Sequence, residues 1–142
     1  MKKIGLVFLM AIMGCSMIEV EPSSIIGGKV TIGPLCGNVP VGETGLSKDE
    51  NPCGLSNEGL DEIYGKYSVI LKTTNDVIIA QKKLDRTGNF TFAVNEGSYH
   101  LVIDSEVTGV LTLTQKEQLK KTISIAKNAN QNIVFTIDTG IR

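Results

Sequence analysis

Residues 67–137 are organised by a period of two. Val69 and Leu71, then Phe90, Phe92 and Val94, then Tyr99, Leu101 and Ile103 each alternate with other residues along short runs. The pattern returns at Ile123 and Ile125 and again at Ile133, Phe135 and Ile137. Successive side chains of a strand point to opposite faces, so each run has one greasy side. A single such ribbon cannot bury that side and must meet another layer. Residues 77–84 supply a further strand, and residues 28–33 an earlier one, with Val30 and Ile32 facing in and Lys29 and Thr31 facing out. Between the runs stand hairpin-sized turns: Thr73-Thr74-Asn75-Asp76, Asp85-Arg86-Thr87-Gly88-Asn89, Asn95-Glu96-Gly97 and Asn128-Ala129-Asn130-Gln131. The expectation is an all-β antiparallel sandwich.

Composition agrees with that reading. Fifteen Gly and four Pro punctuate 142 residues, and hydrophobic residues reach 42%, which argues against intrinsic disorder. Thr114-Gln115-Lys116-Glu117 has a capping-box pattern, so residues 114–121 read either as a short helix or as a polar connection. The net charge is -1, the basic residues are scattered, and no aromatic residues interleave them. Nucleic acid is therefore not an expected partner.

Residues 37–66 break the rhythm. They hold six Gly, two Pro, six acidic residues and only two Lys. The segment is expected to be mostly loop, with at most one helical turn near residues 55–63. Structureless loops this long are uncommon in compact domains and are usually functional or disordered. Glu43, Asp49, Glu50, Glu58, Asp61 and Glu62 mark it as a contact region on a rigid scaffold. The Asp-x-Asp-x-Asp-Gly spacing of a calcium loop is missing, so a solvated acidic loop is the expectation and no metal is assigned.

Met1-Lys2-Lys3 precedes an apolar run over residues 4–13 that ends at Gly14-Cys15. Ten apolar residues are too few to span a bilayer, which takes about 20, but suit the hydrophobic region of a signal peptide. Ile12-Met13-Gly14-Cys15 resembles the bacterial lipobox. The resemblance implies cleavage before Cys15, a diacylglycerol on its thiol, and a further acyl chain such as palmitate on the new amine. Two or three chains anchor stably where one does not. The alternatives are an ordinary signal peptide with an incidental Cys15, or a buried N-terminal strand. Residues 15–27 then read as lipidated tether and residues 28–142 as the folded domain. Loss of Lys2 and Lys3 takes the 14 basic residues to 12 against 15 acidic, a net charge of -3. Ser16 after the lipid cysteine points to the outer membrane if the cell is diderm.

Cys36 and Cys53 remain. Export places them in an oxidising space, where a disulfide is the default. Such a bridge closes a loop of roughly 18 residues and contributes roughly 3 kcal/mol in the chain-entropy account. Zinc would need more ligands than His100 can supply, and Cys-x-x-Cys is absent.

Asp85-x-x-Gly88-x-Phe90 and Gly97-x-Tyr99-x-Leu101 resemble two turn motifs of the carboxypeptidase regulatory-like, or transthyretin-like, family. Gly33-Pro34-Leu35-Cys36 and Asp138-Thr139-Gly140-Ile141-Arg142 are similar to the ends of uncharacterised bacterial envelope proteins in that family, although Gly37 stands where Pro is frequent. The resemblance covers roughly residues 28–142. It implies a seven-stranded Greek-key sandwich with a long disulfide-pinned loop after the first strand, and it says almost nothing about activity.

Chemistry is thinly represented. Ser98, His100 and Asp104 share one strand phase, but neighbours two apart sit about 7 Å from one another, too far for a triad. An exposed histidine is the plainer expectation. Lys29 and Asn132 are the only placement to consider for a Lys–Asn isopeptide of the kind found in Cna B-type sandwiches, and Lys29 falls on the outward phase. Gly27-Gly28-Lys29 lacks the spacing of a phosphate loop. The expected protein is thus a non-catalytic, cofactor-free module at a membrane surface that contacts protein or glycan. A structural spacer or subunit of an envelope assembly is the alternative, and a hydrolase built on His100 a distant third.

Overall fold

The computed structural model describes residues 21–36 and 53–141. Along these residues the order is β1 (Ser24–Gly33), α1 (Asn57–Tyr64), β2 (Tyr67–Thr73), β3 (Ile78–Lys83), β4 (Asn89–Val94), β5 (Gly97–Ser105), α2 (Leu113–Gln118), β6 (Lys120–Ile125) and β7 (Asn130–Asp138). The strands form two sheets, one in the order β4-β1-β7 and one in the order β3-β2-β5-β6. The period-two side chains fill the space between them. Val30, Ile32, Val69, Leu71, Phe90, Phe92, Leu101, Ile103, Ile123, Ile125, Phe135 and Ile137 are all buried in one cluster. Phe90 lies at the middle of it, 6.1 Å from the Phe92 ring and 6.4 Å from that of Phe135. These spacings suit tilted aromatic pairs.

Two glycines are required by this packing. A Cβ on Gly28 would stand 1.9 Å from the Ile133 carbonyl oxygen and 2.6 Å from the Phe90 ring. Gly88 has φ 66°, and a Cβ there would stand 2.1 Å from the Val30 carbonyl oxygen. Both positions let backbone or ring approach where any side chain would intrude.

Four expectations are corrected. The sandwich is not wholly antiparallel, because β1 runs parallel to β7, from Ile25 opposite Asn130 to Gly33 opposite Asp138. Alternation reports which face a residue occupies and is blind to strand direction. The first strand begins at Ser24, so residues 24–27 belong to the sheet rather than to a tether. Ser24 is buried, its hydroxyl donates to the Ala126 carbonyl at 2.8 Å, and Ile26 enters the core. The segment after the disulfide carries two turns of helix, not one, because Ser56 caps α1 by accepting from the Gly59 amide at 3.1 Å. The capping box expected at Thr114 starts two residues earlier. Thr112 is the N-cap, Gln115 returns the bond, and the helix ends at Gln118.

Candidate contact surface at the disulfide end

The ten residues of β1 run the length of the sheet, about 33 Å at the usual rise. Its start lies beside the β6–β7 corner, where Ile25 donates to the Ala129 carbonyl at 3.0 Å. Its far end delivers Gly33-Pro34-Leu35-Cys36 to the opposite pole. There Cys36 is bonded to Cys53 with a Cα–Cα separation of 5.8 Å. A bridge between positions 17 apart in sequence restricts the unfolded chain and ties both ends of the intervening segment to the sandwich.

The C-terminus closes onto the same place. The Thr139 amide donates to the Gly33 carbonyl at 3.2 Å, and its hydroxyl donates to the Pro34 carbonyl. Asp138 accepts from the Gly140 amide at 2.8 Å, turning the chain where Gly140 has φ 72°. The Gly-Pro-x-Cys and Asp-Thr-Gly segments, more than a hundred residues apart, thus hold one another.

Helix α1 is seated beside them. Leu60 and Tyr64, one turn apart, are the buried pair of the helix. The Tyr64 ring joins the core, and its hydroxyl accepts from the Ile32 amide at 3.4 Å. Asp61 accepts from the Arg86 amide at 2.9 Å and from its Nη1 at 2.8 Å, which couples the helix to the β3–β4 corner. That corner is itself capped by Asp85. The hydroxyl and amide of Thr87 both donate to its carboxylate and hold its pKa below the ordinary 3.8. Nearby, burial raises the pKa of the Tyr67 hydroxyl above its ordinary value.

Of the six acidic residues singled out in the sequence, Glu58 and Glu62 face solvent on α1, while Asp61 is occupied by Arg86. Glu43, Asp49 and Glu50 lie outside the described residues, as does Cys15. Beside the helix is an open hollow of about 360 Å³ bordered by Glu62, Gly65, Lys66, Lys83, Glu106 and Val107. Its border carries charges of both signs. Sequence reading missed Arg86, Tyr64 and Thr139, which position this end. The spacing of Leu60, Ile63 and Tyr64 after Ser56 was the available signal for the helix.

The remaining chemical candidates do not converge. Ser98 Oγ lies 3.0 Å from Ser124 Oγ, and Asp104 lies 3.7 Å from Lys116 Nζ. His100 is not the exposed residue expected. Its side chain is only 18% accessible, and Nδ1 is buried without a hydrogen bond, 3.9 Å from Asp76 Oδ1. The reason is that Asp76, from the β2–β3 turn, and Lys120, 3.4 Å from that carboxylate, reach over the outer face of the sheet. Lys29 and Asn132 both lie exposed on the outer face of the other sheet, and in the register Lys29 stands opposite Val134. Ser24 and Ser68 are the buried polar residues among those described, so no buried carboxylate accompanies the Lys29 and Asn132 pair there. Among the described residues no three metal-binding side chains gather, and no helix is long and apolar enough to cross a membrane.

The sequence matches no protein-family model and no curated protein. Among solved structures, the chain is similar to the minor pilin GBS52 of Streptococcus agalactiae, with 10% identity and a TM-score of 0.45 over 80% of this chain and 43% of the pilin. It is also similar to a DUF3823 family protein from Bacteroides ovatus, with 14% identity and a TM-score of 0.38 over 78% of this chain and 42% of that one. The chain spans less than half the length of either.

Proposed function

We propose that this protein is a lipid-anchored envelope lipoprotein whose β-sandwich presents a non-catalytic contact surface to a protein or glycan. The carrying observation is the polarity of β1. Chain preceding Ser24 leaves from one pole, whereas the disulfide, α1 and the C-terminal latch sit at the other, about 33 Å away. An acylated Cys15 at the first pole would hold the second away from the headgroups, where a partner can reach it. Pinning by Cys36–Cys53 and docking through Tyr64 and Asp61 lower the ordering cost of an acidic contact loop. In this reading the sandwich is a transthyretin-like Greek key and residues 37–66 are its recognition segment.

The test is chemical crosslinking of the anchored protein in its own membranes, followed by capture. Deleting residues 38–52 should remove the crosslinked partner while the strands remain folded by circular dichroism. Retained capture would count against the loop. Cys15→Ser should shift the protein out of the detergent phase, and unchanged partitioning would refute the anchor. A spacer role would instead give one fixed neighbour that survives the deletion.

A further inference from the structure

A two-sheet sandwich has four edge strands, and in this protein they are guarded unequally. Unpaired edge amides and carbonyls invite pairing with another chain, and proteins blunt them with charges, bulges or covering groups. On β7, Lys121 Nζ donates to the Val134 carbonyl at 2.8 Å, and Gln115 Nε2 donates to that of Asp138 at 2.7 Å. On β6, Gln131 Nε2 donates to the Ser124 carbonyl at 2.7 Å. Strand β3 carries Lys82 and Lys83, and its register breaks opposite Leu71 and Lys72. Strand β4, Asn-Phe-Thr-Phe-Ala-Val, has one such cover, at the amide of its first residue, and among the described residues none along Thr91 and Ala93.

Its outward groups can be assigned. Val30 donates to the Gly88 carbonyl at 2.8 Å, so the hydrogen-bonded partners of β1 continue at Phe90, Phe92 and Val94 in the unbroken register. Asn89, Thr91 and Ala93 therefore turn their peptide groups to the free edge. The Asn89 amide has the Thr87 hydroxyl at 3.3 Å, and no bond to the edge groups of Thr91 or Ala93 occurs among the described residues.

We propose that β4 is a self-association edge on which a second copy of this chain adds its own β4, antiparallel and centred on Thr91. A two-fold axis normal to the sheet sets Thr91 against its symmetry mate and Asn89 against Ala93 of the other copy. Thr91 and Ala93 present outward peptide groups without a partner among the described residues, the Asn89 amide must exchange its Thr87 contact for the incoming strand, and Thr–Thr is a favourable cross-strand pair. No charged side chain lies within β4, so no like charges meet. The two three-stranded sheets become one of six strands. Because the pairing is antiparallel, the copies' N-termini leave from opposite poles. If the anchor proposed above is present, such a pair links two facing membrane surfaces.

The test is sedimentation of the full chain in mild detergent across a concentration series. Wild type should pass from monomer to dimer. Thr91→Lys places two like charges on the axis and should abolish the dimer, with the circular dichroism spectrum unchanged. Val134→Lys, on the guarded β7 edge, should leave the dimer constant within about twofold, because surface changes away from a contact have little effect. A wild-type monomer at every concentration, or a dimer that survives Thr91→Lys or is lost with Val134→Lys, would overturn the proposal. None of these outcomes depends on lipidation, so the anchor and the edge can fail separately.

Discussion

The two flanks of the sandwich are closed in different ways. Along the β6/β7 flank the two sheets are laced by side chains: Lys121 and Gln131 each cross to a carbonyl of the facing edge strand, and Ser24 reaches the corner at Ala126. Lys121 also stacks its ammonium 5.0 Å from the centre of the buried Phe135 ring. Along the β3/β4 flank no such crossing bond occurs among the described residues, and the strands are joined only through the corner at residues 84–88. One flank is held by distributed polar contacts, the other by a single turn that must have the correct backbone. Loss of stability should therefore be graded on the first flank and abrupt on the second.

Gly88→Ala should have the largest effect. It combines positive φ with a Cβ 2.1 Å from the Val30 carbonyl oxygen, so a loss on the order of 3 kcal/mol is expected in urea unfolding. A loss below about 1 kcal/mol would show that the corner can shift and would weaken the contrast. Lys121→Ala should cost about 1 kcal/mol, the value of one side-chain hydrogen bond with its ring contact. Combined with Gln131→Ala it should remain nearly additive, because neither lace depends on the other. Strong coupling between the two would mean that the flank closes as one unit.

The smallest effect concerns the cap of the corner. Thr87 favours the ionised form of Asp85, so the folded-state pKa lies below the unfolded one. The contribution is then fully present above the unfolded value and is lost as pH falls through the folded value. Asp85→Ala should be less stable than wild type at neutral pH by under about 1 kcal/mol, and the two urea midpoints should converge below about pH 4. A gap that is constant with pH would assign the cap's effect to chain geometry instead of charge.

Much of this architecture was readable before any coordinates. Val69, Leu71, Phe90, Phe92, Leu101 and Ile103 face inward as their alternation required, and Cys36 is paired with Cys53. The chain turns at residues 85–88, inside the turn marked in the sequence, with Gly88 at positive φ. The site was less legible. Helix α1 hid in a stretch whose glycines and prolines read as loop, because two helical turns offer only one cap and three apolar residues as a signal. Asp61 looked like one more solvated acid until Arg86, 25 residues away, was found beside it. Ser24 read as tether because Ile25 and Ile26 in succession obscure the alternation that buries only the second.

Local chain chemistry alone settled the number of β-rich runs, their inward faces and the places where they turn. All of these depend on periodicity or composition within a few residues. Direction and neighbourhood were decided only by the assembled fold. That β1 lies parallel to β7, that the far end of β1 and the end of β7 latch together at Pro34 and Thr139, and that among the described residues the β4 edge is left uncovered at Thr91 and Ala93 are consequences of which strands become neighbours. A face pattern is the same whichever way the adjacent strand runs, so burial could name the core without naming the order of its walls.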